Sequence, residues 1–280
     1  MSSRGTVPPE HVLSEILCMQ LLGDQPHILS LLDAFRRGPQ MSLVLTYCPA
    51  KDFESIYEDM TLAEIRTYVE QLLRALCCLH AHGVLHRDVK PPNFLYDPVA
   101  RTGLLIDFGL AELNTEFQPV LPPAKAATFF ALLKMQRRKK PQARGTKGFL
   151  APECLFEAQH LTSAVDIWAA GVIFLSLLSR RYPFFRFHAA SSLRSIDYRL
   201  QGLIQIAALW GRLAVEQLAS RFLCDLELPT SLPTVQVNWS LVCPEADTAA
   251  LDLLERMLAL KPEERISALD ALGHPFFHTD

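Results

Sequence analysis

Asp88, Lys90, Asn93 and Asp107 are the residues of this sequence best suited to chemistry. They fall in two short motifs, His86-Arg87-Asp88-Val89-Lys90-Pro91-Pro92-Asn93 and Asp107-Phe108-Gly109. Carboxylate and amide oxygens are the hard ligands that Mg2+ prefers, and a lysine contributes a compact positive charge. Phosphoryl transfer asks for this combination. It needs an acceptor hydroxyl in line with the leaving phosphate and neutralised phosphate oxygens, and it asks for little covalent help. Either motif alone is weak, because short strings recur by chance, and His86 in isolation reads as a core histidine. Their order, continued by Ala151-Pro152-Glu153, Asp166 and Arg265, is far more specific.

The elements that must hold these residues are legible from periodicity. Residues 10–22 place Val12, Leu13, Ile16, Leu17 and Met19 at helical spacing. Ile28 to Phe35 and Ser42 to Tyr47 flank RRGPQ and read as an antiparallel strand pair, too small a sheet to stand alone. Thr61-Leu-Ala-Glu64 is a capping box that opens a long amphipathic helix ended by Gly83. Val84 to Phe108 reads as short strands and tight loops, and Phe117 to Arg144 as a surface insertion. Thr162 is the expected N-cap of a helix whose apolar run, Ile167 to Leu178, is too continuous for an exposed face. Weaker helices are expected around 190–202, 203–222, 247–259 and 267–272. The expected fold class is α+β, a small sheet lobe followed by a large helical one.

Composition bounds the rest. The chain has 280 residues, 50% of them hydrophobic, enough to bury one sizeable core. A net charge of −3 offers no whole-chain attraction for polyanions, so neither sequence-specific nucleic-acid binding nor membrane binding is expected. Seven scattered cysteines without a CxxC read as reduced thiols in a cytosolic or nuclear protein. Cys77-Cys78 sits mid-helix and reads as packing.

Together the motifs resemble the protein kinase family, whose two-lobed fold would divide this chain into a partial upper lobe, residues 1–48, and a complete helical lobe, residues 49–280, with an insert at 113–143. The resemblance implies ATP and Mg2+ as cofactors. Asp88 would orient the acceptor hydroxyl and take its proton, Asn93 and Asp107 would hold metal, and Lys90 would place charge on the transferring phosphate. The position of Lys90, two residues past Asp88, is that of serine/threonine kinases. Leu45 resembles the residue gating the adenine pocket, and Thr46 to Cys48 the hinge beneath adenine. His86 and Phe108 of the Asp-Phe-Gly109 motif resemble a buried stack with Met19 and Leu31 above it and Asp166 as its anchor. Glu153 and Arg265 resemble a buried ion pair, and Glu15 the regulatory glutamate of the first helix.

The phrases LHRDVKPPNFLYD, LLIDFGLAE, GTKGFLAPE and GVIFLSLLSRRYPFF look like the cell-division-cycle-seven kinases over roughly residues 10–280. That resemblance implies a nuclear serine/threonine kinase, switched on by a separate activator subunit and acting on the replicative helicase in DNA replication. Two inserts are shorter here than in that subfamily.

No GxGxxG loop precedes Glu15, nor a strand lysine to pair with it. Truncation of the gene prediction, a shorter isoform and a pseudoenzyme each explain this, and the intact downstream residues favour truncation. A kinase-like scaffold that binds activator or substrate without chemistry is the competing reading. The chain has no Ser-Pro or Thr-Pro, which argues against control by a proline-directed kinase. The run Arg137-Arg138-Lys139-Lys140 reads as a solvated, flexible run, with a nuclear-import or docking signal as the alternative. Arg144 and Lys147 flank Gly145-Thr146, where the family forms the pocket for the residue after the acceptor, and would favour an acidic neighbour there.

Overall fold

The computed structural model describes residues 9–38, 40–114, 145–187 and 197–278. Helix α1 (Pro9–Leu22) buries Cys18, Met19 and Leu22 and leaves Leu13 exposed. Strands β1 (Leu31–Arg37) and β2 (Gln40–Leu45) pair antiparallel, from Leu31 opposite Leu45 to Arg37 opposite Gln40. Gly38, at φ +59°, makes the turn in a conformation that costs a glycine little. The first strand lies a few residues later and the second two residues earlier than their apolar runs suggest, because the start of the first run is used elsewhere. Ile28 bridges Leu105, the Leu29 amide donates to the Leu105 carbonyl at 3.2 Å, and the Leu105 amide donates to the His27 carbonyl at 2.8 Å. Those bonds fasten the hairpin to the body below it.

That body is built on α2 (Leu62–Ala81). Its N-cap, Thr61, accepts from the Glu64 amide, while the Thr61 amide donates to Glu64 Oε2 at 2.8 Å. Such reciprocal capping contributes about 1 kcal/mol. The chain reverses at Gly83, φ +70°. Four short strands follow: β3 (Val84–Leu85), β4 (Phe94–Asp97), β5 (Thr102–Leu105) and β6 (Glu112–Leu113), paired β3 with β6 and β4 with β5. The short α3 (Pro152–Leu155) follows, and then α4 (Ala164–Ser179), which packs against α2 and in which every residue from Ala164 to Leu178 is buried.

Two boundaries differ from the sequence reading. Ser163 holds the N-cap position of α4 with helical backbone angles and no side-chain bond, while the Thr162 hydroxyl one residue earlier accepts a long 3.4 Å bond from the Ala164 amide, and the first bonds of the helix include the tighter i to i+3 kind. The helices expected at 190–202 and 203–222 are α5 (Tyr198–Trp210) and α6 (Arg212–Arg221), and residues 188–196 lie outside the described residues. The break falls at Gly211, φ +87°, where a Cβ would come within 2.7 Å of the Val235 backbone. Gly202 stays inside α5, packed where a Cβ would meet the Leu155 side chain. Three further helices, α7 (Trp239–Val242), α8 (Thr248–Met257) and α9 (Ala268–Leu272), complete the helical layer. Among the described residues no helix is long and apolar enough to cross a membrane.

Glu153 on α3 and Arg265 lock this layer. Arg265 Nη1 donates to Glu153 Oε1 at 2.7 Å and to the Ala164 carbonyl at 2.6 Å, and its other nitrogens reach the carbonyls of Ala259 and Leu260. Both side chains are almost wholly shielded from solvent. A pair this buried is costly to leave half made. Glu153→Gln is expected to destabilise the fold by about 3–5 kcal/mol in urea unfolding, and the double variant Glu153→Gln with Arg265→Met by clearly less than the sum of the single changes.

Candidate functional site

Strand β3 delivers the chain to His86, and from there the backbone is held by Asp166 in the first turn of α4. Asp166 Oδ2 accepts the His86 amide at 2.8 Å and Oδ1 the Arg87 amide at 2.8 Å, while His80 Nε2 lies 3.0 Å from Oδ2. Burial pushes the Asp166 carboxyl up, but the His80 hydrogen bond, the charges of His80 and His86 and the Arg87 amide outweigh it and hold the group below its ordinary value. Arg87 takes φ +67°, an uncommon conformation for a side-chain-bearing residue, and its guanidinium pairs with Glu112 on β6.

The loop so fixed presents Asp88, 9% exposed. Its Oδ1 accepts the Thr146 amide at 2.9 Å and the Thr146 hydroxyl at 2.7 Å. Its Oδ2 accepts Lys90 Nζ at 2.6 Å and Asn93 Nδ2 at 3.2 Å. Lys90 Nζ also donates to Thr146 Oγ1 at 3.0 Å, closing a ring of contacts. Gly145, φ +130°, permits this approach: a Cβ there would lie 2.8 Å from the Arg87 carbonyl oxygen.

Asp107 stands at φ +62°, with Oδ1 accepting the Gly109 amide at 3.3 Å and the rest of its carboxylate exposed. Phe108 is fully buried with its ring centroid 5.2 Å from that of His86. His86 Nε2 lies 2.9 Å from the Ile106 carbonyl and Nδ1 accepts the Asp88 amide at 3.3 Å, so one ring ties both motifs together. Met19 is buried and Leu31 half-buried in the same core. Asn93 commits its amide nitrogen to the Asp88 carbonyl at 2.8 Å, which leaves the amide oxygen as an acceptor. Among the described residues no group of three or more His, Cys, Asp or Glu could hold a metal ion unaided. Asn93 and Asp107 offer the hard, incomplete oxygen set that suits Mg2+ shared with phosphate.

Glu15 is half-buried on α1, its carboxyl raised first by burial and then by the Asp107 charge, and no salt bridge reaches it among the described residues. Leu45 ends β2, the Thr46 amide donates to the Ser30 carbonyl at 3.2 Å, and burial pushes the half-buried Cys48 thiol up. Lys147 is exposed at the start of a tight turn, Lys147–Phe149. Arg144, residues 115–143 of the expected insert and the basic run 137–140 lie outside the described residues. Two partners escaped sequence reasoning. His80, in the last turn of α2, supports Asp166, and Glu112 neutralises Arg87. Only a tertiary arrangement joins positions 86 residues apart in the first case, and the alanine-acid phrase after Asp107-Phe108-Gly109 gave no hint of the second.

The family model for the protein kinase domain matches residues 2–277. A protein of Encephalitozoon cuniculi named "Probable cell division control protein 7 homolog 2" is 33% identical over 97% of this chain and 82% of its own length. From Schizosaccharomyces pombe, "Cell cycle protein kinase spo4" is 31% identical over 98% of the chain and 71% of its own length. "Cell cycle serine/threonine-protein kinase hsk1" from the same organism is 31% identical over 98% of the chain, which spans 60% of that relative.

Two outcomes follow from the carboxylates. The Asp166 group, held below its ordinary value of 3.8, stabilises the fold above that pH and loses its contribution as pH falls through the lower folded value. Asp166→Asn, which orphans a buried amide, is expected to cost about 2–4 kcal/mol at pH 7 in chemical unfolding, with the gap to wild type narrowing below about pH 4. Glu15 has the opposite sign. Its carboxylate form is disfavoured, so Glu15→Gln should raise the melting temperature by up to about 3 °C at pH 7, a gain that fades as the pH drops towards 4.5.

Proposed function

Because this chain belongs to the protein kinase family, we propose that it is a serine/threonine protein kinase that transfers the γ-phosphate of ATP to protein hydroxyls in control of the cell cycle. The observation that carries the reading is Asp88, whose carboxylate is aimed by Lys90, Asn93 and Thr146 from two separate segments. A hydroxyl already donates to Asp88 Oδ1 here, that of Thr146, and an acceptor serine presents the same group. Asp88 is thereby suited to orient a substrate hydroxyl and receive its proton. Lys90, 2.6 Å from Asp88 Oδ2, fixes the direction of that carboxylate and has the reach to contact a transferring phosphate. The amide oxygen of Asn93 and the carboxylate of Asp107 would hold Mg2+, which when bound neutralises charge on the phosphate oxygens. Leu45, Thr46 and Cys48 would border adenine.

The names of the relatives support the cell-cycle assignment. Action in DNA replication initiation in the nucleus, on proteins such as the replicative helicase, is part of the same proposal, supported by the resemblance of the motif phrases to the cell-division-cycle-seven kinases. Regulation by a separate activator subunit fits Glu15, a half-buried carboxylate that gains most from a cation or a docking surface supplied to α1. Lys147, next to Thr146, would read the residue after the acceptor and favour an acidic or phosphorylated one. Glu15, without a salt bridge among the described residues, also supports a second reading, a scaffold that binds an activator without chemistry.

Asp88→Asn in the full chain, with any subunit that co-purifies, is expected to lower the rate of phosphate transfer to a serine peptide by about 10²–10⁴-fold while ATP affinity by titration changes less than about threefold. An equal loss of both would remove Asp88 from the chemical step. Wild-type chain that binds its activator and transfers no phosphate would favour the scaffold.

A further inference from the structure

Lys147 has a long stem and many rotamers, and an unfixed ammonium group on a turn makes a poor reader of its neighbour. The structure supplies a fixture. Lys147 Nζ lies 5.1 Å from the centroid of the Tyr198 ring, within the range of a cation–π contact. Tyr198 is the first residue of α5, half-buried against the core, so its ring is a stable platform.

The carboxylates beside it are already engaged. Arg199 Nε donates to Asp197 Oδ2 at 2.6 Å, and Arg199 Nη1 pairs with Glu157 Oε2 at 2.6 Å. The Asp197 carboxyl sits below its ordinary value mainly through its hydrogen bond with Arg199, with the more distant Lys147 charge adding least. Among the described residues Lys147 forms no salt bridge. That distinction matters because a carboxylate would orient the ammonium and cancel its charge, whereas an aromatic face orients it and leaves the charge for a ligand. Thr146, the preceding residue, is bound through its amide and hydroxyl to Asp88, so the ammonium stands one residue from the groups that hold the acceptor.

We infer that Tyr198 is a specificity-determining positioning residue: its ring face holds the charged Lys147 side chain beside Thr146, ready for an acidic or phosphorylated residue that follows the acceptor serine. The inference rests on the reading of Lys147 given above and adds the device that makes it selective.

The test is fluorescence anisotropy on the full chain at low ionic strength, with two labelled peptides that differ only in the residue after the acceptor serine, alanine or phosphoserine. Wild type is expected to prefer the phosphoserine peptide by about tenfold. Tyr198→Leu should cut that preference to about threefold and Tyr198→Phe, which keeps the ring face, should retain it. Neither should change affinity for the alanine peptide more than about twofold. Full preference in Tyr198→Leu, or equal weakening of both peptides, overturns the role of Tyr198. Loss of preference in Lys147→Met alongside full preference in Tyr198→Leu sinks this inference and spares the reading of Lys147, while a wild type indifferent to the two peptides overturns both. A measurement on the wild type stands apart from these variants. The Lys147 ε-methylene protons, assigned by their loss in Lys147→Arg, should be shifted upfield by the ring current, and unshifted resonances overturn the inference.

Discussion

One buried carboxylate organises the catalytic side of this protein. Asp166 lies in the first turn of a helix with no exposed face, and its two oxygens take the backbone amides of His86 and Arg87. Two donors that a strained loop would otherwise leave unpaired are satisfied by an anion, and charge-assisted bonds of this kind are about twice as strong as neutral ones. The loop can then hold Arg87 at positive φ and set Asp88 against Thr146. His80 completes the arrangement from a third element, so α2, the loop and α4 meet at a single group.

From that anchor the contacts run outward in two directions. Through His86, whose nitrogens face the Asp88 amide and the Ile106 carbonyl, the loop is registered against the segment that carries Asp107 and the buried Phe108. Through Asp88 it is registered against Gly145-Thr146, which fits only because a glycine passes close to the Arg87 carbonyl. The Asp88 carboxylate is thus satisfied by neighbours that also fix its direction, and preorganisation of this sort is where much catalytic power resides. Glu15 is the exception. It shares its surroundings with Asp107 and has no cation among the described residues, a poised imbalance at the junction of α1 with the body.

Arginines stabilise the arrangement by pairing rather than by exposure. Arg265 satisfies Glu153 and three carbonyls in the core, Arg87 pairs with Glu112, and Arg199 gathers Asp197 and Glu157 at the start of α5. A planar guanidinium with several donors can serve such sites where a lysine would leave acceptors unmet. Lys147 contrasts with these arginines: among the described residues it forms no salt bridge, and its ammonium lies 5.1 Å from the centre of the Tyr198 ring.

The capping box at Thr61, the continuous apolar run of α4 and the motifs around Asp88 and Asp107 were legible in the sequence because each is a local signal: a spacing, a period, a short string whose residue types match one chemistry. The family was legible for the same reason, in the order of those strings. Tertiary structure alone decided the partners. The first strand lies later than its apolar run because Ile28 is drawn off to Leu105, and the break between α5 and α6 sits at Gly211 because the backbone of Val235 passes there. The pairing of His80 with Asp166, of Arg87 with Glu112 and of Lys147 with Tyr198 has no trace in spacing. Hydrogen bonds, ion pairs and ring contacts act over a few ångströms in space, and a chain records only distance along itself.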